Sequence, residues 1–359
     1  MAWIILCLLT GLLVLLTVLP LSQHTAWWIR VWDFPRLQLA SLLSLLSIAC
    51  GALLDLTQPA SWLLLGLNVS CLGWQLWWIL PYTRLWRYEA RTANPDRGER
   101  LRILVANVLT ANRRADLLLS HIQEHQPDIV ITLESNIWWQ QQLDTLQSDY
   151  PHTVKCPLEN LYGMHVYSRL PLRNTEVAWL VEEDVPSIHT EVLLPGGDSI
   201  QVHFLHPAPP SPTENDESTE RDVELLLVAK RIEGLDVPII VTGDLNDVAW
   251  STTTRLFRKI SGLLDPRVGR GMYNTFHADH WFLRWPLDHI FHSSHFTLSR
   301  IQRLAHIGSD HFPVLVELLY HATEQHQHGL DADGDDQAQA EQKIQAEAAE
   351  PDAVPTPGR

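Results

Sequence analysis

Hydropathy divides the chain before any other property does. Three apolar runs occupy residues 1 to 81: Ala2 to Leu21, Leu37 to Leu56 and Ala60 to Leu80. Each holds about 20 residues, enough at 1.5 Å of rise per residue to cross ~30 Å of hydrocarbon. Trp27, Trp28 and Trp32 follow the first run, and Trp77, Trp78 and Trp86 surround the end of the third. Indole rings favour the membrane–water boundary. The first run lacks the basic segment of a cleaved signal peptide, so three transmembrane helices are expected. The second and third should form an antiparallel hairpin across a short turn, with Asp55 at the interface.

After a linker over 82–100 the pattern becomes globular, over 101–320. Arg102–Val108, Asp128–Leu133 and Gly163–Ser168 read as strands, and Ala115–Glu124 as a helix stopped by Pro127. His189–Leu194 and Ser199–Leu205 flank Pro195-Gly196-Gly197, a hairpin signal. Pro207 to Asp222 reads as a polar, proline-rich loop. Val223–Ile232 and Ser251–Ile260 have helical spacing, while Pro238–Thr242, Leu287–His292 and Phe312–Leu319 read as strands. Strands outnumber helices, and some helices intervene between them. That predicts an α/β domain of two packed sheets flanked by helices rather than a bundle. The tail, 321–359, is rich in Gln, Ala, Asp and Glu and is expected to be disordered.

Charge changes the picture in two ways. The chain carries a net −16 and the 101–320 segment a net −11, from 17 Lys and Arg against 28 Asp and Glu. No basic stripe for gripping a long duplex is visible. Arg30, Arg36, Arg84, Arg87 and Arg91 all fall on one side of a three-span arrangement, which the positive-inside rule assigns to the cytoplasm of a multi-pass inner-membrane protein. The four cysteines have no CxxC spacing, so neither a zinc site nor a disulfide framework is expected.

Candidate chemistry lies in six patches near strand ends: Asn107, Glu134, His206, the Gly243-Asp244-Leu245-Asn246 turn, Asp288, and Ser309-Asp310-His311-Phe312-Pro313. In order and type they resemble the N-V, L-E, H, G-D-x-N, D-x-I-F and S-D-H-x-P signatures of the endonuclease/exonuclease/phosphatase superfamily, over about residues 101 to 319. The resemblance implies a four-layer α/β sandwich and metal-dependent hydrolysis of phosphate esters. Attack on an anionic phosphoester needs charge neutralisation and an activated water. A hard ion, Mg²⁺ or Mn²⁺, takes oxygen ligands, for which Glu134 is the first candidate and Asp310 the second. Asn107 would orient a ligand, the phosphate or the attacking water. The family implies an Asp288–His311 pair, a phosphate-directed His206, and Asp244 and Asn246 orienting water or stabilising the transition state. Whether His311 acts as base or as electrostatic donor stays open at this level.

Other positions read more plainly. His203 should face away from the inter-sheet core, and neither it nor the other histidines of the domain is assigned a metal. Tyr162 reads as packing, although some nucleases of the family place a phosphate-binding tyrosine nearby. Leu109 stands where many DNA-repair members carry an acidic residue, and His206-Pro207-Ala208-Pro209-Pro210 departs from their T-H-L pattern. Leu109 leans away from the abasic-site endonuclease branch and towards single-metal chemistry through Glu134, while the second patch resembles bacterial membrane-associated members. The expected function is a membrane-anchored phosphodiesterase acting on a lipid headgroup or a soluble phosphodiester. A DNA or RNA nuclease, or a non-catalytic membrane scaffold, are the alternatives.

Overall fold

The computed structural model describes residues 1–94, 97–323 and 326–358; positions 95–96 of the linker and 324–325 and 359 of the tail lie outside it. The apolar runs form helices α1 (Ala2–Val18), α3 (Arg36–Leu53) and α4 (Pro59–Ile79), with a short α2 (Trp27–Arg30) in the loop after α1. The three long helices are long and apolar enough to cross a membrane. Leu43, Leu46 and Cys50 pack against the Leu6, Leu13, Leu64 and Cys71 faces of the neighbouring helices. Polar side chains add specificity where no water competes: the Asn68 amide donates to Thr10 Oγ1 at 2.9 Å, and Gln75 Nε2 donates to Thr17 Oγ1 at 3.1 Å. Asp55 lies exposed just beyond α3, accepting from Thr57.

Eleven strands follow: β1 (Glu99–Asn107), β2 (Ile129–Leu133), β3 (His152–Cys156), β4 (Met164–Ser168), β5 (Leu172–Ala178), β6 (Ser187–Leu193), β7 (Ser199–Leu205), β8 (Ile239–Asp244), β9 (Asp288–His292), β10 (Phe296–Arg303) and β11 (Val314–Tyr320). They make a six-stranded sheet, β10-β11-β1-β2-β4-β3, and a five-stranded sheet, β5-β6-β7-β8-β9. Both are mixed: β1–β2 and β7–β8 run parallel, and the other pairs run antiparallel. Alternate residues such as Ile103, Val105 and Ile131 from one sheet and Ile200, Val202 and Phe204 from the other fill the space between them. The intervening residues face outward under helices. Leu104 and Val130 meet α5 (Ala115–His125) and α6 (Ile137–Leu143). Leu205 and Val241 meet α7 (Thr219–Ile232) and α8 (Thr252–Ser261). The result is the expected four-layer sandwich. His203 lies on the outward face of β7, its ring nitrogen 2.7 Å from that of His189.

Three findings depart from the sequence reading. The tail expected to be disordered forms α9 (Gly334–Ala346), which buries Ala340 and Ile344 against the α7 layer. Asp333 closes a capping box at its start, and Lys343 and Lys259 pair with Asp222 and Asp336. Few apolar residues suffice because the groove already exists and charges fix the register. The linker is threaded rather than free. Ala90 is buried, Glu89 accepts from Asp265 N, and Arg91 and Ala93 hydrogen-bond to Leu298 of edge strand β10. The 207–222 loop ends early because α7 starts at Thr219.

The apolar helices are also stitched to the sandwich. Trp27 N donates to Asp216 O and Ser218 N to Thr25 O, each at 2.9 Å. Trp250 Nε1 donates to Asp33 O at 2.9 Å, and Tyr82 Oη donates to Ala249 O at 2.5 Å. The loop between the first two spans thus lies against the domain at the end where the candidate residues gather.

Candidate active site

Topology explains the convergence. Parallel β1 and β2 end together at Asn107 and Leu133, which are paired in register, with Glu134 next. Parallel β7 and β8 end together in the other sheet, giving His206 and Asp244. Antiparallel β9 and β11 begin at that same end, so Asp288 pairs directly opposite Asp244 and His311 enters just before β11. Asp288 and His311 are therefore at strand starts, on the shared rim of both sheets.

Backbone geometry fixes the local turns. Gly243 has φ +147°, and a Cβ there would lie 1.9 Å from Leu205 O, so only glycine lets β8 approach β7 this closely before Asp244. Glu134 and Asn246 both adopt left-handed φ, 56° and 50°. Such strain persists only where surroundings enforce it. Behind the turn, Arg221 donates to Asn246 O at 2.9 Å and to Asp222 Oδ1 at 2.7 Å, with Arg221 and Asp222 both buried.

The polar network is continuous. Asn107 Nδ2 donates to Glu134 Oε1 at 2.7 Å and to Asp244 Oδ2 at 3.1 Å. His311 lies between two carboxylates, Nδ1 at 2.8 Å from Asp288 Oδ2 and Nε2 at 3.4 Å from Asp244 Oδ2. Burial disfavours a charged imidazole, but Asp244 and Asp288 outweigh it and hold His311 up at about 10. This favours the imidazolium form of the ring. Burial likewise pushes Asp244 up, yet His311, with the hydrogen bonds from Asn246 N and Asn107, outweighs it and holds this carboxylate below the usual range. For Asp288 burial wins over His311, and its carboxyl stays raised. Burial, opposed by Asp244 and aided by the charge of His311, lowers His206 to about 4, which favours the neutral ring.

The metal fit rests on Glu134. Its Oε2 is buried without a hydrogen-bond partner among the described residues. Burial, opposed by the Asn107 amide, raises this carboxyl to about 7, with Asp310 and Asp244 adding to the shift. An orphaned carboxylate oxygen beside further carboxylates suits a hard divalent cation. Asp244, Asp288 and His311 also bring ligand atoms within 4.8 Å of one another. Both nitrogens of that ring already face carboxylates, however, so it offers no lone pair, and the cation is better matched by Glu134.

Of the expected residues, Glu134, His206, Asn246, Asp310 and His311 line one cavity of about 700 Å³. Asn107, Asp244 and Asp288 lie in its floor through the hydrogen bonds above. Asn246 turns its amide to Pro207 O at 3.0 Å. Tyr162, read as packing, also lines the cavity; its hydroxyl donates to Glu214 and its ring lies 5.3 Å from that of His206. Sequence reasoning missed Thr275, whose Oγ1 accepts from Asp288 N at 3.2 Å, and Arg267, which donates to Asp288 O at 3.4 Å. Neither lies in a recognisable motif.

Comparisons with known proteins agree with this geometry. The family model described as "Endonuclease/Exonuclease/phosphatase family" matches residues 104–311. No curated protein matches the chain. Among solved structures, an endonuclease/exonuclease/phosphatase from Beutenbergia cavernae is similar at 17% identity, covering 66% of this chain and 76% of its own, with a TM-score of 0.53. The human Nocturnin catalytic domain with bound sulfate is similar at 18% identity, covering 62% and 94%, TM-score 0.51. Danio rerio TDP2 complexed with a single-strand DNA product follows at 17% identity, covering 61% and 98%, TM-score 0.50. These likenesses establish the fold. The family match spans more than half of the sequence, and with it the chain belongs to the endonuclease/exonuclease/phosphatase family of metal-dependent phosphoester hydrolases.

Proposed function

We propose that this chain is a membrane-anchored phosphodiesterase that uses one Mg²⁺ or Mn²⁺ and has its catalytic domain on the cytoplasmic side. The observation that carries the reading is the unpartnered Glu134 Oε2 beside the Asn107–Asp244–His311–Asp288 network. Glu134, with Asp310, would hold the cation, which when bound neutralises phosphoryl charge and acidifies water. Asp244 stays ionised and accepts the proton of the attacking water, while Asn107 and Asn246 orient that water. The new P–O bond forms as the ester P–O bond breaks, and the leaving oxygen takes up a proton from solvent water. The His311 imidazolium, held by Asp288, donates to a phosphoryl oxygen, and neutral His206 donates to another. This favours the donor role for His311 over the base role.

The acidic domain, at net −11, and Leu109 in place of an acidic residue weigh against a duplex nuclease. The test is Mg²⁺- or Mn²⁺-dependent hydrolysis of bis-p-nitrophenyl phosphate by the full chain. Asp244→Ala and His311→Ala should each remove it. Activity unchanged in either variant overturns the assignment.

A further inference from the structure

The cavity above the catalytic residues has walls that phosphoester chemistry does not require. One side is built from the loop between the first two apolar helices, with Trp27, Trp32 and Phe34 in its lining. Another comes from the segment before β9, through Leu283 and Trp285. That same segment reaches the membrane helices: Gln38 Nε2, in the first turn of α3, donates to Phe282 O at 2.7 Å. Beside this contact Trp281 is 81% exposed and Phe282 54%. Large aromatic side chains left bare at the end of an apolar helix match the membrane–water boundary. Leu85, Trp86 and Tyr88, just past α4, are exposed at the same end of the bundle. The cavity therefore runs from the Glu134–His311 floor to a rim of aromatic side chains at the helix ends.

We infer that the substrate is a membrane-borne amphiphile, a phosphate ester whose apolar portion lies along the Trp32–Phe34 and Leu283–Trp285 walls while its phosphate reaches His311. The inference rests on the hydrolase reading and names its substrate class. Indole and phenyl walls also stack nucleobases, but the net −11 of the domain works against a polyanion, and a soluble diester without an apolar portion leaves these walls unused. An amphiphile keeps its tail in apolar surroundings throughout, so leaving the bilayer partway costs little. Backbone ties at Trp27, Ser218 and Asp33 fix the wall to the domain, so the aromatic lining is part of the site rather than a loose neighbour.

The test uses the full chain reconstituted in phosphatidylcholine vesicles. Dioleoyl phosphatidic acid in the same vesicles and glycerol 3-phosphate in solution compete against bis-p-nitrophenyl phosphate hydrolysis. The lipid should inhibit at a bulk concentration at least about 100-fold lower, from shared confinement in one bilayer. Trp32→Glu with Phe34→Glu should shrink that ratio at least about tenfold, whatever rate remains, and Trp32→Phe with Phe34→Leu should keep it. A second readout needs no catalysis: phosphatidic acid carrying a diazirine at its acyl end should label the 27–35 and 281–285 segments as well as the outward faces of the spans. Equal inhibition by lipid and glycerol phosphate, or labels confined to the spans, overturns the inference and points to a soluble ester or nucleic acid. Loss of all bis-p-nitrophenyl phosphate hydrolysis counts instead against the hydrolase reading, and the label map still decides where the lipid sits.

Discussion

Asp265 touches no substrate, yet the site depends on it. Its carboxylate is fully buried and grips Arg267 with two bonds, Nε to Oδ1 at 2.9 Å and Nη2 to Oδ2 at 2.8 Å. Arg267 in turn holds His289 Nδ1 at 2.7 Å and Asp288 O at 3.4 Å, the start of the strand that presents Asp288 to His311. Burial pushes the Asp265 carboxyl up, but Arg267 outweighs it and draws the value down from 3.8 to about 2. At 1.36 kcal/mol per unit, that is about 2 to 3 kcal/mol of stability. A depressed acid contributes fully above its unfolded value, so this share is intact at neutral pH and disappears as pH falls from about 4 through 2. Asp265→Asn removes the charge and leaves a buried guanidinium without its counter-ion, costing about 3 to 5 kcal/mol. The midpoint of thermal unfolding of the full chain in detergent should fall by at least about 6 °C. The kcat should fall too, by up to about 100-fold, because small displacements near reacting groups are expensive. Asp265→Leu combined with Arg267→Met should recover much of the stability but not the rate, since Asp288 O loses its donor. A melting point and kcat both unchanged in Asp265→Asn would refute the reasoning.

Other outcomes follow from the same geometry. Glu134→Gln should abolish metal-dependent hydrolysis and weaken Mn²⁺ binding by titration calorimetry, yet the chelator-treated protein should melt higher than wild type at pH 8. Burial raises this acid to about 7, so its ionised form costs stability as pH rises from 4.5 past 7, and the amide removes that cost. Asp288→Asn should lower kcat by about two to four orders of magnitude with little change in folding, since the ring at 2.8 Å loses the partner that orients and charges it. Ile344→Ala should destabilise the chain by about 2 kcal/mol in denaturant unfolding, because this side chain is buried on α7; a tail without fixed structure would show no change.

The central strands were legible in the sequence, and three of the four edge strands were not. The runs around Ile103, Ile131 and Ile240 are apolar on both faces because layers cover both, and they announce themselves. The strands missed were β3, β5 and β10, and each is the edge of its sheet. Edge strands carry charge to avoid unwanted pairing: Leu172–Ala178 includes Arg173 and Glu176, and Phe296–Arg303 breaks its alternation with a register shift between Leu298 and Arg300. The eight candidate residues were legible because ordered motifs hold them. Their supports were not. Arg267 and Thr275 are ordinary loop residues that reach Asp288 from 21 and 13 positions away, Asp265 acts only through its neighbour Arg267, and nothing in local composition marks them. The contribution of Trp32 and Phe34 to the cavity was hidden for a similar reason. Their segment reads as an interfacial loop, and only contacts such as Asp33 to Trp250, 217 residues apart, bring it to the site.

That junction bears on how the site can be used. A domain on a free tether sweeps a large volume and meets soluble and membrane substrates alike. Here the connecting segment after α4 is held at several points: Tyr82 to Ala249 and Arg258, Pro81 O to Gly269 N at 2.7 Å, Glu89 to Asp265 N, and Arg91 and Ala93 to β10. The interspan loop adds its own backbone bonds to Asp216 and Ser218. Opening the domain away from the helices would leave Arg258 and Asp33 with broken networks in apolar surroundings, at a cost of several kcal/mol. The cavity mouth is thus fixed against the helix ends rather than sampling orientations. Fixed presentation trades range for local concentration. For the membrane-borne substrate proposed above, it would also remove the need for a basic surface, which reconciles an acidic domain with an anionic ester.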